Sequence, residues 1–433
     1  MKFISINLNE VNLKWLKEYS EIYHFDNIKK LLGWNFVQTI SEKKYQHLEP
    51  WIQWPTYYLG KSYNEHKLFH LGDAEQSKNY SIFDHFQNKE KATLALAPMN
   101  CTFIPSKESL LFHDPWSKKG ISSNSKFLNN FWDAICYFVN ENSNESSLRI
   151  KHLYYFIIGF LKFARFNNYL HYIKLIFISI FFKWSRAILL DLLLFDIFYY
   201  FFKTKNYEFS TLFLNAGAHI QHHYFFDSKI YKMKNGKHMN PISYSSKYTK
   251  FLDPLYQIYK IYNHIALDII NLGKNNNIEV TTALQQKDNH DPYFQYRIKD
   301  IELFFSSIGL QYKHFVKKMS RDIYIFFNNR QECVLAKKML SSFLLHNKPL
   351  FKIYVLKNNN LFVQIIYRGN DNKLKEVIRN NKVFDFTEIF SIVSIENAIH
   401  KSDGWHINNF HKFKKNRIHL KDLTKELYGF KKN

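Results

Sequence analysis

The sequence predicts an α/β protein: a mostly parallel sheet with helices on both faces, a helical insertion, and a small α+β subdomain near the C-terminus. Three observations predict it. Short apolar runs such as Phe3–Leu8, Glu208–Leu214 and Ile278–Thr282 read as buried strands. Longer stretches of helical period separate them, as crossover connections between parallel strands require. At 433 residues the chain can build one large core with insertions, or two domains.

The elements follow in order. Phe3–Leu8 reads as the first strand, Leu13–Tyr23 and Asn27–Leu32 as helices, and Trp34–Ile40 as extended chain. Tyr57–Leu59 leads into a turn at Gly60. From Gly120 to about Lys205 the pattern is mainly helical, and Glu208–Leu214 returns to strand before Asn-Ala-Gly-Ala. Leu252–Leu272 has the period of an amphipathic helix, and Ile278–Thr282 of a buried strand. Asp322–Phe327, a helix at Gln331–His346, and the strands Phe351–Lys357 and Leu361–Tyr367 joined by Asn358–Asn360 form a compact α+β unit. The expected organisation is core at 1–119, insertion or cap at 120–205, core again at 206–320, subdomain at 321–390, and core completion with a tail at 391–433. A polar linker stands near Asn140–Ser147.

Hydrophobic residues at 46% and charged residues at 22% exclude a disordered chain. The net charge of +23 favours anionic partners. Lys and Arg are nevertheless spread along the chain, with dense clusters only at Lys412–Arg417 and Lys431–Lys432, so no specific nucleic-acid site is expected. Part of the charge, like the 42 Phe and 29 Tyr, follows from an A/T-rich codon bias. Cys101, Cys136 and Cys333 match neither a disulfide framework nor a zinc spacing. Met-Lys-Phe-Ile-Ser-Ile-Asn lacks the marks of a signal peptide, so a reducing cytoplasm is the expectation. The most apolar stretch, Lys151–Lys203, has no clean run near the ~20 residues of a spanning helix. Its interrupting charges would each cost ~2.5–3.5 kcal/mol at a bilayer centre. Amphipathic helices fit it, packed on the core or in peripheral contact with a membrane surface.

Two blocks near the N-terminus carry a resemblance. Asn27-Ile-Lys-Lys-Leu-Leu-Gly33-Trp-Asn-Phe36 is followed by Trp51-Ile-Gln-Trp-Pro-Thr-Tyr-Tyr-Leu-Gly60-Lys-Ser-Tyr-Asn-Glu-His66. Later come Asn215-Ala-Gly-Ala-His219 and Asp403-Gly-Trp-His406. In order and spacing these blocks resemble the phosphodiesterases and sulfatases of the alkaline phosphatase superfamily. The resemblance implies an alkaline phosphatase-like core and two metal ions serving phosphoryl or sulfuryl transfer. It also implies that Asn215 and His219 stand at a metal motif, and that His406 is the late histidine of one site.

The departures are specific. The first strand should end in an Asp ligand, but Asn7, Asn9 and Glu10 stand there. Pro50 occupies the nucleophile position counted back from Gly60, and Ala283-Leu284-Gln285-Gln286 stands where an Asp-His pair is expected. One metal site is thus mostly dismantled. A single divalent metal, Zn²⁺ or a neighbour, remains open to His219, His406, Asn215, His223 and Glu10, with His222 as another candidate.

Glu49 and Thr56 are candidates for nucleophile or base, Gln53 for an oxyanion donor, and Glu65-His66 for a supporting pair; a packed Trp-rich turn is the alternative. Arg321 is a candidate clamp for a phosphate or sulfate oxygen pair, or an ordinary surface partner of Asp322. His113-Asp114-Pro115-Trp116 and His290-Asp291-Pro292 read as Asp-Pro turns. Two functions stay open: a metal-assisted hydrolase or transferase for an anionic small-molecule or glycan ester, and a catalytically silent relative that binds an anionic ligand or a protein partner.

Overall fold

Phe3–Leu8 forms β1, near the middle of a nine-stranded sheet. The other strands are Asn35–Ile40 (β2), Thr93–Leu96 (β3), Leu110–Phe112 (β4), Ile121–Ser122 (β5), Phe209–Leu214 (β6), Asn277–Thr281 (β7), Asp403–Asn408 and Arg417–His419. Their order is Arg417–His419, β2, Asp403–Asn408, β7, β1, β6, β3, β4, β5. β7, β1, β6, β3 and β4 run parallel. Asp403–Asn408 enters antiparallel between β7 and β2, and β5 is antiparallel to β4. The sheet is therefore mostly parallel. In the computed structural model the described residues are 1–77, 79–116, 121–123, 125–141, 150–231, 253–317, 321–345, 347–356, 359–369, 376–379 and 382–430. Lys431–Lys432, Met319, Ser320, Asn358 and all but the first two residues of the linker Asn140–Ser147 lie outside them.

Helices cover both faces, and alternation along β1 decides what each face meets. Ser5 and Asn7 point toward Pro50–Leu59 (α3), where the Tyr57 hydroxyl lies 3.0 Å from Ser5 Oγ and the Tyr58 hydroxyl donates to Asn7 Oδ1 at 2.7 Å. Those contacts satisfy polar atoms that would otherwise be costly inside a sheet. On the opposite face Leu8, with Leu214 and Val280 from the neighbouring strands, meets Leu16, Ile28, Tyr262 and Ile265. These belong to Leu13–Ile22 (α1), Asp26–Leu32 (α2) and the long helix Pro254–Gly273.

α3 is a helix rather than the packed Trp-rich turn that is the alternative reading of this block, and its ends explain why. Pro50 sits in the first turn, where its missing N–H costs nothing, and Gly60 closes the helix at φ 58°. Pro55 lies inside it and cannot bond the Trp51 carbonyl. The Asn100 side-chain amide donates to that carbonyl instead, at 2.7 Å.

The insertion contains Lys126–Glu141 (α4), Ile150–Phe163 (α5), Tyr169–Phe181 (α6) and Trp184–Thr204 (α7). Among the described residues no helix is long and apolar enough to cross a membrane. A buried carboxylate, Asp196, organises the corner between α5 and α6. It accepts from Arg165 N and Nε, Asn168 Nδ2 and the Tyr172 hydroxyl at 2.7–2.9 Å.

Residues Asn289–Asn397 form a second unit with its own core. It holds a four-stranded antiparallel sheet in the order His314–Lys317, Asp322–Phe326, Asn360–Ile365, Phe351–Leu356, with the helix Arg330–Ser341. The unit is wider than residues 321–390, because Phe294–Ile298 pairs antiparallel with Phe390–Ile395 and Phe304 packs on Phe351 and Phe390.

Candidate metal centre

Leu8 and Leu214 are register partners at the carboxyl ends of β1 and β6, the edge where ligands bind in parallel sheets. The chain leaves β1 through Asn9 and Glu10, and leaves β6 through Asn215 into Ala216–Tyr224 (α8). Glu10 has φ 55°, a left-handed conformation costing a non-glycine residue about 1–3 kcal/mol. That backbone turns a 1%-exposed carboxylate into a group of imidazoles.

Glu10 Oε2 lies 2.9 Å from His222 Nε2 and 3.3 Å from His400 Nε2. Two separate segments deliver these rings. His222 stands on α8. His400 belongs to Ala398–Lys401, which pairs antiparallel with Gln285–Asp288 (β8) so that His400 is opposite Gln286. Side chains opposite each other share a face. The Gln286 amide accordingly also donates to Glu10 Oε2. Glu49, the N-cap residue of α3, lies on the far side of His400, with Oε2 3.7 Å from Nδ1.

His222 Nδ1 is 2.8 Å from the Ala398 carbonyl oxygen. A carbonyl only accepts, so Nδ1 carries the proton. Neutral His222 then presents a lone pair from Nε2 to a carboxylate oxygen 2.9 Å away. Two lone pairs at that distance repel unless a proton or a cation lies between them. The backbone carbonyl fixing the tautomer is a common companion of a metal-ligating histidine. The three ligand atoms lie within 4.8 Å of one another, and two imidazoles with a carboxylate suit an open zinc site.

The charges respond to the same contacts. Burial alone would raise the Glu10 pKa, but His400 and His222 outweigh it and hold the carboxyl well below its ordinary range. Burial would lower the His400 pKa, yet Glu10, and to a lesser degree Glu49, raise it.

The surrounding polar groups are tied to one another. Asn9 Nδ2 donates to Asn215 Oδ1 at 2.7 Å, and Asn9 Oδ1 accepts from Trp54 Nε1 at 2.8 Å. Gln221 Nε2 donates to the Glu10 carbonyl at 2.9 Å. Asp191 of α7 receives the Asn215 and Ala216 N–H groups at the start of α8, and burial pushes its pKa up to about 7. Gly217 lets α8 approach the chain after Glu10, since a Cβ there would sit 2.6 Å from Val11 Cγ2. Gly217→Ala is expected to destabilise the protein by about 1–3 kcal/mol through overpacking, measured as a lower urea midpoint.

The remaining candidates occupy other surroundings. His406 is fully buried within the sheet, where Asn408 Nδ2 is 3.2 Å from its Nε2 and Glu279 Oε2 is 3.4 Å from its Nδ1. Burial and His411 depress its pKa to about 3, so it is a neutral core histidine outside the Glu10 group. His219 and His223 share one face of α8, with ring centroids 4.9 Å apart. Thr56 Oγ1 is 3.2 Å from both the Ile52 carbonyl and His66 Nε2. The Leu68 N–H donates to His66 Nδ1, so Nε2 of the neutral ring carries the hydrogen and Thr56 has no base to activate it. Gln53 donates to the His47 carbonyl at 2.6 Å. Glu65 caps Ser62, forming a capping box. Arg321 belongs to the second unit, with Nε 3.9 Å from its neighbour Asp322.

A cleft of ≈290 Å³ is lined by Ser41, Lys43, Lys44, His47, Thr56 and Lys421, among others. Burial, reinforced by Lys44 and Lys67 and opposed by Glu42, lowers the His47 pKa. Glu42 is the acidic residue of the lining, and its Oε1 accepts from the Tyr63 N–H.

No family model matches the sequence, and no curated protein matches it. Solved structures are similar along the whole chain. Phosphonoacetate hydrolase from Sinorhizobium meliloti, with bound phosphonoformate, has a TM-score of 0.43 and 9% identity over 97% of this chain and 93% of that one. Murine ectonucleotide pyrophosphatase/phosphodiesterase 5 has a TM-score of 0.42 and 10% identity over 100% and 96%. The human counterpart has a TM-score of 0.41 and 10% identity over the same shares. All are members of the alkaline phosphatase superfamily. At this identity neither a substrate nor a residue's role carries across.

Proposed function

We propose that this chain is a metal-assisted hydrolase or transferase for a phosphate or sulfate ester, with one divalent cation, Zn²⁺ by the chemistry of the donors, held by Glu10, His222 and His400. The observation that carries the reading is the Glu10 oxygen shared between two imidazole nitrogens, one fixed by Ala398 with its lone pair toward the carboxylate. Such an ion would act as a Lewis acid toward an ester oxygen. Glu49, beside His400, is then the carboxylate suited to accept a proton from the attacking hydroxyl or water. The dismantled second site of the sequence reading leaves a single-ion centre. The substrate fitting this charge is an anionic small molecule or glycan ester.

The test is metal analysis of the purified protein, with turnover of p-nitrophenyl phosphate, bis-p-nitrophenyl phosphate and p-nitrophenyl sulfate before and after chelation. Bound cation and chelator-sensitive turnover support the reading. Glu49→Gln should lower kcat by about 100-fold or more with metal content unchanged, as loss of a general base does. Unaltered kcat would remove Glu49 from the chemistry.

A second reading, a catalytically silent relative that binds an anion, is favoured by two observations. Asn9 and Asn215 are committed to each other. The cleft beside α3 gathers Lys43, Lys44 and Lys421. Absence of cation and of turnover, together with calorimetric binding of AMP or a sulfated sugar lost in Lys44→Glu, would select it.

A further inference from the structure

Helices α5 and α6 bury one side and leave the other apolar. Phe163 and Gly159 of α5 pack inward, with Gly159 against the Phe131 ring, and Tyr172, Leu175 and Ile178 of α6 are buried. On α5 the exposed residues Ile150, Tyr154, Ile157 and Leu161 recur at intervals of four, three and four, which places them on one face. On α6 the exposed residues are Leu170, Ile173, Phe177 and Phe181 at three, four and four, with Ile176 and Ile180 beside them. Phe166, in the corner between the helices, is 83% exposed. Phe160 and Tyr172 join the two helices edge to face at 4.8 Å. Soluble monomers rarely expose this much contiguous apolar surface without a use for it.

Within the segment from Ile150 to Leu190 the charge has one sign, and the acidic neighbour Asp133 of α4 is paired with His152 at 3.2 Å. From Ile150 to Leu190 there is no Asp or Glu, whereas Lys151, Lys162, Lys174, Lys183 and Arg186 are all exposed. Arg165 differs: it is committed to Asp196 and Asp268.

We propose that α5 and α6 dock this face on an anionic lipid bilayer, lying in the interface with their apolar side chains at the headgroup–acyl boundary and the flanking lysines on lipid phosphates. The helices span 14 and 13 residues. At 1.5 Å per residue each is about 20 Å long, short of the ~30 Å hydrocarbon core, so they lie along the surface rather than through it. A second copy of the chain is a poorer occupant. A two-fold contact through this face would set five cations against the same five with no acidic side chain from the segment between them, while anionic lipid neutralises each one. This inference is independent of the metal centre.

The experiment is flotation of the full chain with vesicles of phosphatidylcholine alone, and of phosphatidylcholine with phosphatidylserine. Binding to the anionic vesicles that weakens with added salt is expected. Ile173→Glu with Phe177→Glu should reduce it by at least about tenfold, because both side chains leave water only on docking. Lys174→Glu with Lys183→Glu should reduce it comparably at low salt. Leu303→Glu, an exposed apolar residue of the second unit, is the control and should bind like wild type. Circular dichroism checks that each variant is folded. The proposal is overturned if wild type does not float with anionic vesicles, or if the folded Ile173/Phe177 variant floats undiminished. It is also overturned if wild type is a dimer in solution that the same substitutions split, which would assign the face to a second copy.

Discussion

Glu10→Gln protein is expected to bind Zn²⁺ at least ~100-fold more weakly than wild type, since loss of a partner one shell further out already costs about 10–100-fold. Isothermal titration measures it directly. The substitution keeps the shape and removes the charge that both histidines face. It also has a pH signature in the cation-free protein. Glu10 has a depressed pKa when folded, so its contribution to stability is present above the unfolded value of about 4.3 and is lost as pH falls through the lower folded value. His400 has a raised pKa when folded, so its contribution is complete below about 6.5 and is lost as pH rises through the higher folded value. The pair therefore stabilises most between about pH 4.3 and 6.5, and Glu10→Gln should flatten both limbs of a urea-midpoint profile. A cation competes with the His400 proton, so wild-type affinity for Zn²⁺ should strengthen as pH rises through that raised pKa. Equal Zn²⁺ binding by wild type and Glu10→Gln, with superimposable pH profiles, would remove the cluster as a cation site.

Asp196→Ala is expected to cost about 3–5 kcal/mol, the range for removing one partner of a buried ion pair. The carboxylate is wholly buried and satisfies four donors, so alanine strands the Asn168 amide and the Tyr172 hydroxyl and leaves the Arg165 guanidinium with Asp268 alone. Asp196→Asn retains an acceptor and should cost less than alanine. Urea unfolding followed by circular dichroism reads both, and an alanine variant with the wild-type midpoint would show that the corner is held by packing alone. Because these donors lie where α5 meets α6, the loss should loosen that hairpin before the sheet.

The sheet was legible because its strands are buried on both faces and so appear as short, mainly apolar runs without strict alternation, as in Phe209–Leu214 with all six residues buried. α3 was only half legible, because Pro50 and Pro55 equally admit a packed turn until Asn100 is seen to bond the carbonyl that Pro55 leaves open. Of the centre, Glu10 was readable at the end of the first strand and His222 in the histidine-rich run after Gly217. His400 was not. It reaches Glu10 through its cross-strand position opposite Gln286, and the residues of the second unit separate the two strands in sequence. His406 carries the more conspicuous motif, Asp403-Gly-Trp-His406, but strand alternation turns its ring into the sheet beside Glu279. Thr56 stands in a suggestive block, yet its hydroxyl is held by Ile52 and His66.

Asp288 and Ala398 are directly paired residues of one antiparallel ribbon, so among the described residues the segment Asn289–Asn397 leaves and rejoins the ribbon at adjacent positions. Paired Cα atoms in such a ribbon stand only about 4.5–5.5 Å apart, a gap that a two-residue hairpin closes. Excision of Asn289–Asn397 with an Asn-Gly splice therefore leaves the pairing of Gln286 with His400 unbroken, making that junction a natural seam for shortening the polypeptide.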